Sequence, residues 1–226
     1  MKTIAFIQAR VGSTRLRGKV LLKIKNRTVI EVFLKRLSKS KLLNEIVVLI
    51  PNSKENDFLD FKVNSYGFKT FRGSENNVLD RFYKASLKFK PQNIVRVTSD
   101  NPLVYYKIVD KVISLFKKKK IDYLSNNLFP SFPAGLDVEI FSQKALKIAW
   151  KFAKKKYDKE HVTPYLKQSA SIKKFNLKNK INLSKVRMTL DTKRDFRKIK
   201  KIFEFYHPDI FFGTNKILKL KKILNL

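Results

Sequence analysis

The stretch QARVGSTRLRGK, residues 8 to 19, follows the apolar run TIAFI and gathers Arg10, Arg15, Arg17 and Lys19 around Gly12, Ser13, Thr14 and Gly18. Arginine grips phosphate oxygens with paired N–H donors and lysine adds a mobile point charge, so this set suits a triphosphate whose charge shifts during reaction. The spacing excludes two common phosphate loops. Five residues rather than four separate Gly12 from Gly18, and Val20 stands where a P-loop needs Ser or Thr after its lysine. A dinucleotide fingerprint needs three glycines, and only two are here. The bland alternative is a solvated basic turn, weakened because these residues concentrate at the end of the first apolar run.

Two aspartates offer a counterpart. Asp100 in VTSDNP and Asp191 in MTLDT each follow a strand-like pattern. Taken singly, each is a good helix cap. As a pair facing a polycationic loop they suit a hard cation such as magnesium, which takes one or two carboxylates and fills its shell with substrate phosphate oxygens. With no cysteine and two histidines in the chain, neither a thiolate centre nor a histidine-built metal site is available. A second tier lies in FRGSENNVLDRF (71–82), with Arg72, Ser74, Asp80 and Arg81, and in GLDVE and KEHVTPY, with Asp137, Glu139, Glu160 and His161. His161 is either a general base or a structural histidine.

Positioning these groups requires a particular architecture. Short β-rich runs (3–7, 45–50, 68–71, 93–98 and 121–125) alternate with helical stripes such as Val29, Ile30, Val32, Phe33 and Leu37, the signature of βαβ units and a mostly parallel sheet. DVEIF and VRMTL read as later strands, and Ser142 as the cap of the helix that follows it. One helix is expected around EHVTPYL and another over 192–206. In such sheets ligands bind at the carboxyl ends of strands, where all three polar clusters fall. No repeat or linker divides residues 1–226, so the expectation is one domain with an inserted lobe around 126–170.

At 226 residues and 43% hydrophobic content, the chain can fill a real core. No segment has the roughly 20 apolar residues a bilayer span needs, and the reading is a cytoplasmic protein. The net charge of +33 invites a nucleic-acid or membrane-surface partner. The lysines are nevertheless spread along the whole chain, as in FKKKK and KFAKKKY, which favours a solvated surface without a specific partner of either kind.

Taken in order, IQARVGSTRLRGKVL, FRGSENNVLDRF, VRVTSDNPL, GLDVEIF, EHVTPY and MTLDTKRDF resemble the cytidylyltransferases of the spore-coat polysaccharide type, relatives of the acylneuraminate and 3-deoxy-manno-octulosonate cytidylyltransferases. The resemblance spans residues 3 to 206. It implies a Rossmann-like, GT-A-type three-layer α/β sandwich with a mixed, mostly parallel sheet. It also implies an enzyme that uses CTP and Mg²⁺ to activate a sugar, commonly a sugar acid, for surface-glycan biosynthesis with release of pyrophosphate. On that footing Ala9 and Arg10 lie beside cytosine and ribose, while Arg10, Gly12, Ser13, Arg15 and Lys19 hold the triphosphate. Asp100 and Asp191 match the metal-binding aspartates, and Arg72, Asp80, Arg96 and Thr98 match nucleotide-site positions. The inserted lobe, with Asp137, Glu139, Glu160 and His161, resembles the part that closes over the sugar and joins a homodimer. Arg15, Lys19 and Asp100 would then act in catalysis, with no general base identified. The family's RLPGK, GDCP and TLDTPEDF read RLRGK, SDNP and TLDTKRDF here, and none of these changes removes a group the chemistry needs.

Two rivals stand beside this reading. One is a different nucleotide, or glycosyl transfer, on the same fold. The other is a basic binding module for nucleic acid or a membrane surface, without catalysis.

Overall fold

The computed structural model, which describes residues 1–224, alternates strands and helices through its first half. The chain opens with β1 (Thr3–Gln8) and a small antiparallel ribbon of β2 (Lys23–Ile24) and β3 (Arg27–Thr28). Then come α1 (Val29–Leu37), β4 (Glu45–Pro51), α2 (Asp57–Ser65), β5 (Lys69–Gly73), α3 (Val78–Phe89), β6 (Asn93–Thr98) and α4 (Tyr106–Lys118). The second half holds β7 (Tyr123–Ser125), β8 (Glu139–Ser142), α5 (Gln143–Phe152), α6 (Lys156–His161), α7 (Pro164–Gln168), β9 (Lys174–Asn176), α8 (Lys193–Phe205) and α9 (Thr214–Ile223).

Seven strands form one sheet in the order β5-β4-β1-β6-β8-β7-β9, all running the same way except β8, which is antiparallel to β6 and β7. In β1, Ala5 and Ile7 face one core with α1, α4 and α8, while Ile4 and Phe6 face the other with α3, α5 and α7. This period-two alternation makes the three layers. The fold is therefore the α/β sandwich with a mixed, mostly parallel sheet that the motifs imply. Buried Arg36 ties one layer together, donating to the carbonyls of Leu103, Val104, Ile210 and Phe212; burial lowers its guanidinium to a pKa of about 10.

Local signals account for several helix starts. Ser142 accepts from the Ala145 amide, as expected, and Thr192 with Asp195 closes a reciprocal capping box on α8. Two elements differ from expectation. Residues 186–190 form no strand; an isolated parallel bridge between Ala134 and Arg187 holds them beside the sheet, together with a bond from the Leu190 amide to the Asp100 carbonyl. The stretch 160–166 is two short helices, because Val162 sits at φ 70° and Pro164 begins the second, where its missing N–H costs nothing.

Candidate active site

The carboxyl ends of β1 and β6 open into a cavity of about 520 Å³. The loop after β1 is shaped by its own backbone: the amides of Ser13 and Gly18 both donate to the Val11 carbonyl, and the Val11 amide is held by the buried side chain of Asn56. Gly18 takes φ 68°, a left-handed conformation natural to glycine, and delivers Lys19 into the interior. Arg17, placed where the family has a proline, turns outward and reaches Glu55 at 3.6 Å.

Lys19 is 9% exposed, and its ammonium is the meeting point of the site. Nζ lies 3.1 Å from Asp100 Oδ2, 3.1 Å from Asp191 Oδ1 and 2.8 Å from the Leu190 carbonyl. Asp191 also accepts from Arg15 and from Arg187, each at 2.8 Å. Burial alone would raise the Asp191 pKa, but the bond and charge of Lys19, with Arg187 and Arg15, hold it below the ordinary carboxylate value. The two aspartates, 91 residues apart in sequence, are thus brought to one cation; the Leu190–Asp100 backbone bond sets their separation.

Arg10, Ser13, Arg15, Lys19 and Asp100 line the cavity with Ala9, Arg96 and Thr98, and so do Glu160 and the exposed His161 of α6. Other sequence candidates are engaged elsewhere. Arg72 turns away to Asp57, Asp60 and the Ser53 carbonyl, and Asp80 binds Lys84 and the Trp150 indole. Asp137 accepts from the Gly135 amide, and burial raises its carboxyl. Glu139 is buried among Arg96, Tyr123, Thr163 and Lys167. Burial would raise its pKa, but Arg96 and Lys167 together with the Tyr123 hydroxyl bring it down to about 2. Gly12 serves the loop rather than the cavity wall: a Cβ there would lie 2.8 Å from Glu55 Oε1.

Sequence reasoning missed Arg187 as a partner of Asp191, although it lies four residues upstream, and missed Gln8, Asn76 and Lys156 as cavity residues; it singled out Arg81 without giving it a role. Gln8 Oε1 accepts from both Nε and Nη2 of Arg96, steadying that guanidinium at the rim. A signal for Arg81 was present: it falls on the apolar stripe of Val78, Phe82 and Ala85, where a charge needs a reason.

Six cationic side chains and three carboxylates, Glu75, Asp100 and Glu160, line this cavity at strand termini of a mixed α/β sheet, and Asp191 joins the site through Lys19 and Arg15 without lining it. Fold and site together define a nucleotide-binding α/β protein of the nucleotidyltransferase class. The cytidylyltransferase family model matches residues 4–224, so the chain belongs to the cytidylyltransferase family, and the match takes in the tail that the sequence resemblance left out. An uncharacterized protein of Methanocaldococcus jannaschii is 43% identical over 93% of this chain and 88% of its own length. The spore coat polysaccharide biosynthesis protein SpsF of Bacillus subtilis is 32% identical over 90% of the chain and 88% of its own length. The 3-deoxy-manno-octulosonate cytidylyltransferase of Fusobacterium nucleatum is 32% identical, over 53% of the chain and 48% of that enzyme. A solved cytidylyltransferase structure from Leptospira borgpetersenii superposes with a TM-score of 0.95 at 32% identity, covering 100% of this chain and 95% of that one.

Proposed function

We propose that this cytidylyltransferase activates a sugar acid for surface-glycan assembly: a sugar hydroxyl attacks the α-phosphorus of CTP in line, and pyrophosphate leaves. The observation that carries the reading is the ammonium of Lys19 held between Asp100 and Asp191 beside the Arg10–Arg15 loop. The chemistry asks chiefly for charge neutralisation and alignment. Arg15 and Lys19 meet the leaving phosphates, and Arg10 and Ser13 fix the remainder of the triphosphate. Arg96, steadied by Gln8 and Glu139, and the α6 side chains Glu160 and His161 border the space left for the sugar.

Asp100 and Asp191 fit Mg²⁺ as a donor pair. Among the described residues no cluster of three or more His, Cys, Asp or Glu side chains could enclose a metal, so such an ion would complete its shell with phosphate oxygens and water, as magnesium does. When bound, it supplies positive charge to the reacting phosphate and lowers the pKa of a nearby hydroxyl. Lys19 gives up the aspartates for phosphate oxygens as the nucleotide arrives. We extend the reading to a homodimer through the inserted lobe, whose α5 and α6 carry the exposed aromatic residues Trp150, Phe152 and Tyr157.

The test is pyrophosphate release from CTP, with Mg²⁺ and a panel of sugar acids, by the wild-type chain and the Asp100→Ala and Lys19→Ala variants. Each substitution is expected to lower turnover at least 100-fold, the loss seen on removing one electrostatic stabiliser, with circular dichroism unchanged. Full activity in either folded variant overturns the proposal.

A further inference from the structure

The two oxygens of Asp191 have different partners. Oδ1 accepts from Arg15 at 2.8 Å and from Lys19 at 3.1 Å, both of them cations that line the cavity. Oδ2 accepts from Nη2 of Arg187 at 2.8 Å. Arg187 is outside the cavity lining, and its guanidinium is also paired side-on with Asp195, Nε to Oδ1 at 3.2 Å and Nη2 to Oδ2 at 3.1 Å. Asp195 holds more than Arg187. Its Oδ2 also accepts from the amides of Asp191 and Thr192, at 3.0 and 2.9 Å, within the capping box that starts α8. Burial would raise the Asp195 carboxyl, but its bonds from Arg187 and from these two amides hold it far below the ordinary value, so it stays ionised. The main chain of Asp191 and its Oδ2 are thus both referred to one carboxylate on the first turn of a 13-residue helix.

The Arg187 side chain is not what anchors this segment. Backbone bonds do that: the Ala134 amide donates to the Val186 carbonyl at 2.9 Å, the Met188 amide to the Ala134 carbonyl at 2.7 Å, and the Leu190 amide to the Asp100 carbonyl at 2.8 Å. The side chain itself is half exposed and contributes little burial. What it contributes is direction, because the Asp191 carboxylate cannot turn about its Cβ–Cγ bond without losing a charge-assisted hydrogen bond. A lone guanidinium next to a metal ligand would repel the metal, but Asp195 cancels that charge, and the orienting effect is what remains.

We infer that Arg187 is a positioning residue for the reaction's cation: it fixes the Asp191 carboxylate so that Oδ1, and not Oδ2, is the oxygen offered to Mg²⁺. Lys19 and Arg15 have phosphate oxygens as alternative partners when nucleotide binds, whereas Arg187 keeps Asp195. Oδ1 is therefore the oxygen set free, and Oδ2 stays held. The inference rests on the Mg²⁺-dependent cytidylyl reading above and adds to it the group that orients one of its two donors.

The test is calorimetric binding of CTP without sugar, measured once in EDTA and once in saturating Mg²⁺, to the wild-type chain, Arg187→Met and Arg187→Lys. Mg²⁺ is expected to strengthen CTP binding by the wild type. Arg187→Met is expected to leave the EDTA value within about twofold and to cut the gain from Mg²⁺ by about tenfold or more, the usual cost of removing a group that orients a metal ligand. Lysine keeps the charge but offers one ammonium in place of a fork, so Arg187→Lys is expected to fall between the two. It decides the matter if Arg187→Met fails to fold. A gain from Mg²⁺ unchanged in either folded variant overturns the inference. So does an equal loss in EDTA and in Mg²⁺, which would make Arg187 a support for the nucleotide and not for the cation. A wild-type chain whose CTP affinity ignores Mg²⁺ overturns instead the assignment of Asp100 and Asp191 as its donor pair, and one that binds no CTP overturns the cytidylyl reading itself.

Discussion

Charges inside this molecule divide into those that hold the fold and those held for a ligand, and the difference is whether partners are complete. Glu139 belongs to the first kind: Arg96, Lys167, Tyr123 and Thr163 surround its carboxylate. Its folded pKa of about 2 lies below its ordinary value of 4.5, so its stabilisation is fully present above about pH 4.5 and is lost as pH falls toward 2. Glu139→Gln leaves the partly buried Arg96 and Lys167 without their shared counter-charge and is expected to cost roughly 1 to 3 kcal/mol at neutral pH. It should also flatten the acid limb of the stability profile between pH 4.5 and 2, as followed by urea unfolding at stepped pH; an acid limb as steep as the wild type's would show that Glu139 does not carry it. Arg81 belongs to the second kind: among the described residues its Nε and Nη1 are buried without a partner. Lys19, whose ammonium is fully engaged by Asp100, Asp191 and the Leu190 carbonyl, belongs to the first until a ligand displaces them.

At the scale of elements, the site depends on a segment with little regular structure. Residues 186–191 carry Asp191 to Lys19 through the Ala134–Arg187 bridge, and Gly135 makes that approach possible. It sits at φ 99°, and a Cβ there would lie 2.7 Å from the Met188 carbonyl carbon. Gly135→Ala is expected to cost about 1 to 3 kcal/mol through strain and to weaken nucleotide binding in proportion as Asp191 shifts; thermal melts with and without CTP measure both, and an unchanged melt would refute the packing argument. The strands 3–7, 45–50 and 93–98 and the Ser142 cap were legible because alternation and capping are local properties. VRMTL misled because its strand-like pattern is satisfied by one bridge and a backbone bond to Asp100, tertiary facts with no local signature. The loop cations and the two aspartates were legible as a set. The side chains of Arg72, Asp80, Asp137 and Glu139 were not, because neighbours distant in sequence take them up. Arg81 was readable in principle, as a charge on the buried stripe of α3.

For the molecule as a whole, the net charge of +33 surrounds a cavity that is itself cation-rich. The dispersed lysines raise the potential everywhere, which speeds encounter with any polyanion, whereas selectivity has to come from the fixed groups of the cavity. Among the described residues no helix is long and apolar enough to cross a membrane. The account thus rests on one claim, that this cavity is built for CTP. Thermal unfolding with CTP, UTP, ATP and GTP in turn, each with Mg²⁺, tests it most directly. CTP at about 100 times its Kd stabilises by about 2.7 kcal/mol, which for a chain of this size raises the midpoint by roughly 5 to 10 °C. The other three nucleotides are expected to give clearly smaller shifts, and the CTP shift should shrink in Asp100→Ala. Equal shifts from all four nucleotides, or none from CTP, would contradict the account.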